Sequence, residues 1–163
     1  MKNLKTQFAR IASVACLALG ILGINQMASY SSPPITFVGI SSWASDGAST
    51  STFYVTAQGT PDAAKGLILV TGSGYAAYGS AKSVSDIVAE DGSESAVVTG
   101  QVTFSHLANR QRVDSISAVA TVTCAIAADG SQSEGVEIVD SSGQTLAHVP
   151  LEPVVRGSVE IFH

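Results

Sequence analysis

Charge is scarce in this chain. Asp, Glu, Lys and Arg make up only 13% of its 163 residues, against roughly a quarter in an average soluble domain. Aromatics are scarcer still at 6%, so the apolar 45% is carried by Ala, Val, Ile and Leu. A surface so short of charge must be built from hydroxyls and amides. These shortages exclude whole classes of function. Phosphate backbones are held by clustered Lys and Arg; here the formal charge is −5, and the nearest thing to a cluster is Arg110 with Arg112. No nucleic-acid partner is expected. The two cysteines, Cys16 and Cys124, lie in segments of different character and make no disulfide framework. Cys124 falls on an apolar strand face, where a thiol behaves as a small hydrophobe. Zinc spacing and EF-hand loops are missing. No serine sits in a Gly-x-Ser-x-Gly elbow, and His106, His148 and His163 have no carboxylate or cysteine at motif spacing. The chain is therefore expected not to be an enzyme, with no catalytic, metal or cofactor residue assigned and no cofactor.

What is present is strand pattern. In Ile116 to Ala127 (ISAVATVTCAIA) the even positions are all apolar, while Ser117, Thr121 and Thr123 stand among the odd ones. Strand side chains alternate between faces, so this is one long β-strand with a dry and a wetter side. Shorter strands are expected at 35–44, 50–58, 66–71, 84–89, 96–104, 135–140, 144–149 and 154–162, with the long one at 114–127. Asp46-Gly47, Asp91-Gly92 and Asp129-Gly130 punctuate them, with Ser142-Gly143 a fourth pair. Asp-Gly between apolar runs predicts hairpins with type I′ turns, which need positive φ at both central residues. Short strands at regular spacing predict an all-β domain over 35–163, an antiparallel β-sandwich or jelly-roll. By parity its core holds Phe53, Val55 and Ala57, then Val98, Val102 and Phe104, then Val155, Val159 and Ile161. Leu67 to Val70 is apolar throughout and should be covered on both faces. His106 to Arg112 is the one stretch inside the domain that predicts a helical turn.

Ahead of the domain stands a basic stub (Lys2, Lys5, Arg10) and an apolar run from Ile11 to Ile24. That order is the form of a secretory signal. The small residues Ser29 and Ser31 offer a cleavage site, and an uncleaved apolar helix contacting a membrane is the alternative. Residues 1–31 are thus a signal peptide or membrane anchor, residues 32–34 a linker stiffened by proline, and the domain extracytoplasmic: secreted, on a cell surface or in a virion. Without the stub, five basic residues face 13 acidic ones, a balance of −8 that favours solubility.

Residues 67–82 (LILVTGSGYAAYGSAK) hold the sharpest alternative. An apolar strand enters Gly72-Ser73-Gly74, which with Tyr75-Ala76-Ala77 has the glycine-x-glycine-x-x-alanine form of a dinucleotide fingerprint, a chemistry that needs a helix N-terminus at the second glycine. Otherwise the stretch is a glycine-rich loop, with Tyr75 and Tyr78 as candidate partner-contact residues on an exposed tip. Acidic turn tips (Asp46, Glu90, Asp91, Glu94, Asp129, Glu134) are candidates for calcium, though no calcium-loop pattern joins them.

Pro34-Ile35-Thr36-Phe37-Val38-Gly39, the hydroxyl-rich Thr50 to Thr56, Gly66-Leu67-Ile68-Leu69-Val70-Thr71-Gly72 and Gln101-Val102-Thr103-Phe104 together resemble β-sandwich modules of bacteriophage and prophage tail, fibre and other virion proteins. The resemblance covers residues 34–127 and implies a structural, adhesive module without a shared catalytic site, acting through protein partners or self-assembly. The function expected from the sequence is therefore an exported structural or interaction module of a virion or bacterial surface. Glycan or calcium binding is the second reading, and dinucleotide binding the third.

Overall fold

The structure is a computed structural model that describes residues 35–45, 50–109 and 111–163. The signal or anchor, the apolar helical segment, the proline linker and Asp46-Gly47 lie outside the described residues. Within them the chain forms eight strands: β1 (Thr36–Ser45), β2 (Thr50–Gly59), β3 (Ala64–Gly72), β4 (Tyr75–Val88), β5 (Glu94–Ala108), β6 (Gln111–Ile126), β7 (Gln132–Asp140) and β8 (Thr145–Phe162). Each pairs antiparallel with the next, and β8 returns to β1 from Phe37↔Phe162 to Ala44↔Val154.

The sheet therefore closes as an up-and-down barrel, which overturns the expected β-sandwich or jelly-roll. Alternation fixes only that one face of every strand is dry; a sandwich and a barrel satisfy it equally. The decision lies in strand length and coiling. β4, β5, β6 and β8 run to 14, 15, 16 and 18 residues, long enough to tilt around an axis until the last strand meets the first. Closure gives the first and last strands a partner and so shortens the exposed sheet edge and the aggregation risk it carries.

The lengthening comes at three places where the sequence suggested breaks. Gly72 to Ser80 is not a loop: Ser73 and Gly74 make a tight turn, and β4 begins at Tyr75. His106 to Arg112 is not a helical turn but the tip of the β5–β6 hairpin, reversed at Asn109 with φ 53°. Residues 144–149 and 154–162 are one strand, passing through Pro150, where the β7–β8 register shifts, and Pro153, the last residue of β8 paired with β7. Proline is tolerated at such irregularities because no ladder donor is required there.

The Asp-Gly turns also differ from type I′. In Ala89–Ser93 the Gly92 N–H donates to the Ala89 carbonyl (3.0 Å) and Ala89 N–H to Ser93 (2.9 Å). Of Asp91 and Gly92, only the glycine has positive φ. The Asp91 carboxylate instead accepts from the Ser93 amide and hydroxyl, at 2.9 and 2.7 Å. Ala127–Ser131 and Asp140–Gln144 repeat the backbone pattern. It is a type I turn closed by a left-handed glycine.

The interior is filled from all eight strands, by Val38 and Ile40, Phe53 and Val55, Ile68 and Val70, Ala77 and Ala81, Val98 and Phe104, Ala120 and Val122, Val136 and Ile138, Val159 and Ile161. Two parity assignments miss. Val155 is 68% exposed because the register shift between Trp43 and Ala44 leaves it as an extra residue between Val154 and Arg156. Ile116 is exposed because β7 pairs with β6 only from Ala118 onward, so the first seven residues of β6 stand clear of the barrel. Leu67 and Leu69 are half-buried on the outer side, with only Ile68 and Val70 fully enclosed.

Where β7 stops short, the Gln132 side chain takes over the work of a peptide group. Its amide donates to the Val159 carbonyl (3.0 Å) and accepts from the Val159 N–H (2.9 Å). Gln132→Ala strips both bonds from a part-buried strand edge and should cost about 1–3 kcal/mol, read as a lower urea midpoint with an unchanged slope.

Candidate functional site

Three groupings of polar or aromatic side chains are candidates, and the first is sealed inside. Glu134 follows the inward phase of β7, between Gln132 and Val136, and is fully buried. One carboxylate oxygen, Oε2, accepts a hydrogen bond from the buried Ser42 hydroxyl of β1. The other, Oε1, has no partner among the described residues. Glu152 lies directly opposite on β8 and is buried too. Burial pushes the Glu134 carboxyl up to about 7, against the opposing pull of the Ser42 bond. The turn-tip placement expected for Glu134 is thus wrong: its charge points into the core.

Around this pair the barrel is reluctant to ionise. Burial pushes the Cys124 thiol up to about 12, helped by the charge of Glu134, so it is the inert core thiol the sequence suggested. Tyr75 turns inward at the start of β4 and stacks on Phe104 with ring centroids 5.5 Å apart. Burial holds its phenol above the ordinary range; Ser51 pulls the other way and Glu152 adds to the rise. The Tyr75 hydroxyl is buried without a hydrogen-bond partner among the described residues.

The second grouping is at the ends of the barrel. His106 and Asp114 face each other across the β5–β6 hairpin, Nδ1 to Oδ1 at 2.7 Å, both exposed. The His106 bond holds the Asp114 carboxyl below its usual range. Eight residues of separation hid this pair, because only the hairpin register brings it together. At the opposite end Asp86 accepts from the Thr36 hydroxyl and pairs with His163 Nδ1 at 3.0 Å. In neither pair is a hydroxyl of a described residue hydrogen-bonded to the imidazole. The acidic tips Asp91 and Asp129 use their carboxylates on their own turns, and the Ser93 and Ser131 bonds lower both pKa values. Among the described residues no three His, Cys, Asp or Glu side chains converge as metal ligands. The glycine-x-glycine motif leads into a strand, and with no helix N-terminus at Gly74 the pyrophosphate cradle is not formed.

The third grouping is on the outer wall. Here Tyr78 stands in mid-strand on β4, 60% exposed, rather than on a loop tip. One register row runs Tyr54, Leu69, Tyr78, Thr103, Ser117, and the next runs Thr56, Leu67, Ser80, Gln101, Val119. Neither row carries a charge. Trp43 stands one row on from Tyr54, opposite Thr52, with the Arg156 guanidinium 5.1 Å from its ring centre. An outer groove of ≈ 490 Å³ opens beside Tyr78. The sequence reading named Tyr75 and Tyr78 together; the fold parts them, one inside and one outside. It passed over Tyr54, whose outward phase follows from the inward parity of Phe53 and Val55, and Trp43, which lies between the inward Ser42 and Ala44 of β1. Comparison of the chain with protein-family models, curated proteins and solved structures gave no match.

Proposed function

We propose that residues 35–163 form an exported, non-catalytic interaction module of a virion or bacterial surface, contacting its partner through the outer wall of β1 to β5. The observation that carries this is the outward display of rings. Trp43 and Tyr54 are each 46% exposed, and Tyr78 more so, on a wall whose neighbouring outward residues are mainly hydroxyls and amides with Leu67 and Leu69 among them. Exposed rings are the usual anchors of contact surfaces, since they combine large area with few rotatable bonds. The interior supports a non-catalytic role: Glu134 and Cys124 sit in a packed core that no substrate reaches. The placement of polarity is also the reverse of a membrane barrel, which turns apolar residues outward and polar ones in. Export rests on the basic stub and apolar run at the N-terminus.

Adsorption of the full chain to intact bacterial cells and envelope fragments tests the contact face. Trp43→Ser, Tyr54→Ser and Tyr78→Ser combined should lower adsorption roughly tenfold or more. The melting temperature should hold, because surface changes of this kind usually stay within about 0.5 kcal/mol each. A triple variant that adsorbs like the parent would move the contact surface off this wall.

A further inference from the structure

We infer that the groove beside Tyr78 is a subsite for a neutral oligosaccharide of equatorially linked pyranoses. This rests on the outer wall being the contact face, and it names the ligand class. The groove crosses four strands, with Leu67 on β3, Tyr78 and Ser80 on β4, Gln101 and Thr103 on β5, and Ser117 on β6. Ser80, Gln101, Thr103 and Ser117 share the outward phase of Tyr78 and are exposed, while Gly79 follows the inward phase of Ile68 and Val102 beside it and adds only backbone to the groove. The Tyr78 ring and the row of hydroxyls are therefore open to one ligand at once.

An equatorially substituted pyranose has the complementary form. One face is an array of C–H bonds, which suits an aromatic ring; its rim is hydroxyls that both donate and accept. Outward side chains on paired strands stand about 4.5–5.5 Å apart, close to the distance across one sugar ring. Ser80, Thr103 and Ser117 each donate and accept through one hydroxyl, and the Gln101 amide does so through two atoms. No charged side chain lines the groove, so an acidic sugar finds no counter-charge. An apolar peptide or lipid chain would leave four polar side chains covered and unpaired, which is costly.

The full chain is titrated by calorimetry and saturation-transfer NMR with cellotetraose and chitotetraose, with tetragalacturonate as the anionic arm. A neutral tetrasaccharide should bind saturably. Tyr78→Phe should keep the binding, and Tyr78→Ala should weaken it roughly tenfold or more. Gln101→Ala should weaken it several-fold. Leu151→Ala, exposed on β8 and outside the groove, should leave it unchanged. The assignment is overturned if neither neutral sugar binds, if tetragalacturonate binds as well or better, or if Tyr78→Ala has no effect. Should Tyr78→Ala reduce envelope adsorption while neither neutral sugar binds, the wall remains the contact face and only the ligand class is wrong. Should it change neither, the sugar subsite falls, and the contact wall is then decided by the combined Trp43, Tyr54 and Tyr78 variant.

Discussion

Unfolding of the barrel should become easier as the pH climbs from about 4.5 to about 7, the reverse of what most carboxylates impose. The cause is Glu134, whose carboxyl is raised from 4.5 to about 7 in the folded chain. Below pH 4.5 the group is protonated in both states and the folded state carries no penalty. Between the two values the unfolded chain releases its proton while the folded chain holds it, so stability falls with every step upward. Above about 7 both states are ionised and the loss is complete. The difference in pKa corresponds to about 3 kcal/mol, or a melting temperature lower by about 10 °C in a domain of this size. The turn carboxylates Asp91, Asp129 and Asp140 are shifted the other way by their serine bonds. They stabilise as pH rises, but in a window below pH 4, so the two effects separate. Glu134→Gln keeps an acceptor for Ser42 and has nothing to titrate. Urea midpoints measured from pH 4 to 8 should slope downward for the parent and stay level for the variant. A slope that survives in Glu134→Gln would assign the titration to another group, with the opposing Glu152 the first to examine.

The same residue shows how much of the molecule was legible in the chain. Strand positions were, because alternation is a local property: Phe53, Val55, Ala57, Val98, Val102, Phe104, Val159 and Ile161 all lie inside as parity required. Glu134 carried a readable signal as well, a charge in the inward phase of Gln132, Val136 and Ile138, but its nearness to Asp129-Gly130 made it look like a turn tip. Closure was not legible. It depends on the register summed over eight strands, and one extra residue at Val155 reverses the parity of β8 back to Glu152, where the next register shift reverses it again. The His106–Asp114 pair and the separation of Tyr75 from Tyr78 were hidden for a related reason. Both depend on where a hairpin turns, and glycine-rich stretches such as Gly72 to Gly74 suit a loop and a two-residue reversal equally.

Gly157→Ala should be among the most damaging single-methyl changes open to the described residues. Gly157 pairs with Ser42 in the β1–β8 ladder, the one that turns a sheet into a barrel. Its φ of 108° lies in the region L-residues avoid. An added Cβ would stand 2.1 Å from the Ser41 carbonyl oxygen and 2.5 Å from Ser42 Cα. Those are backbone atoms of β1, so relief requires moving the strand rather than a rotamer. Ser42 moves with it, and the hydrogen bond to Glu134 goes too. Gly143 supplies the comparison, with φ 84° and nothing within 4 Å of an added Cβ. Gly143→Ala meets backbone strain alone and should cost about 1–2 kcal/mol. Gly157→Ala adds the overpacking and the lost closure and should exceed about 4 kcal/mol. Total stabilities run to about 5–15 kcal/mol, so that variant stands near unfolding at room temperature. Urea midpoints give the two costs, and hydrogen exchange gives their location: amides of β1 and β8 should lose protection first in Gly157→Ala, while Gly143→Ala changes only its own turn. Equal midpoints for the two variants would mean that β1 yields without opening the barrel, and that closure depends on the other ladder pairs between Phe37 and Ala44.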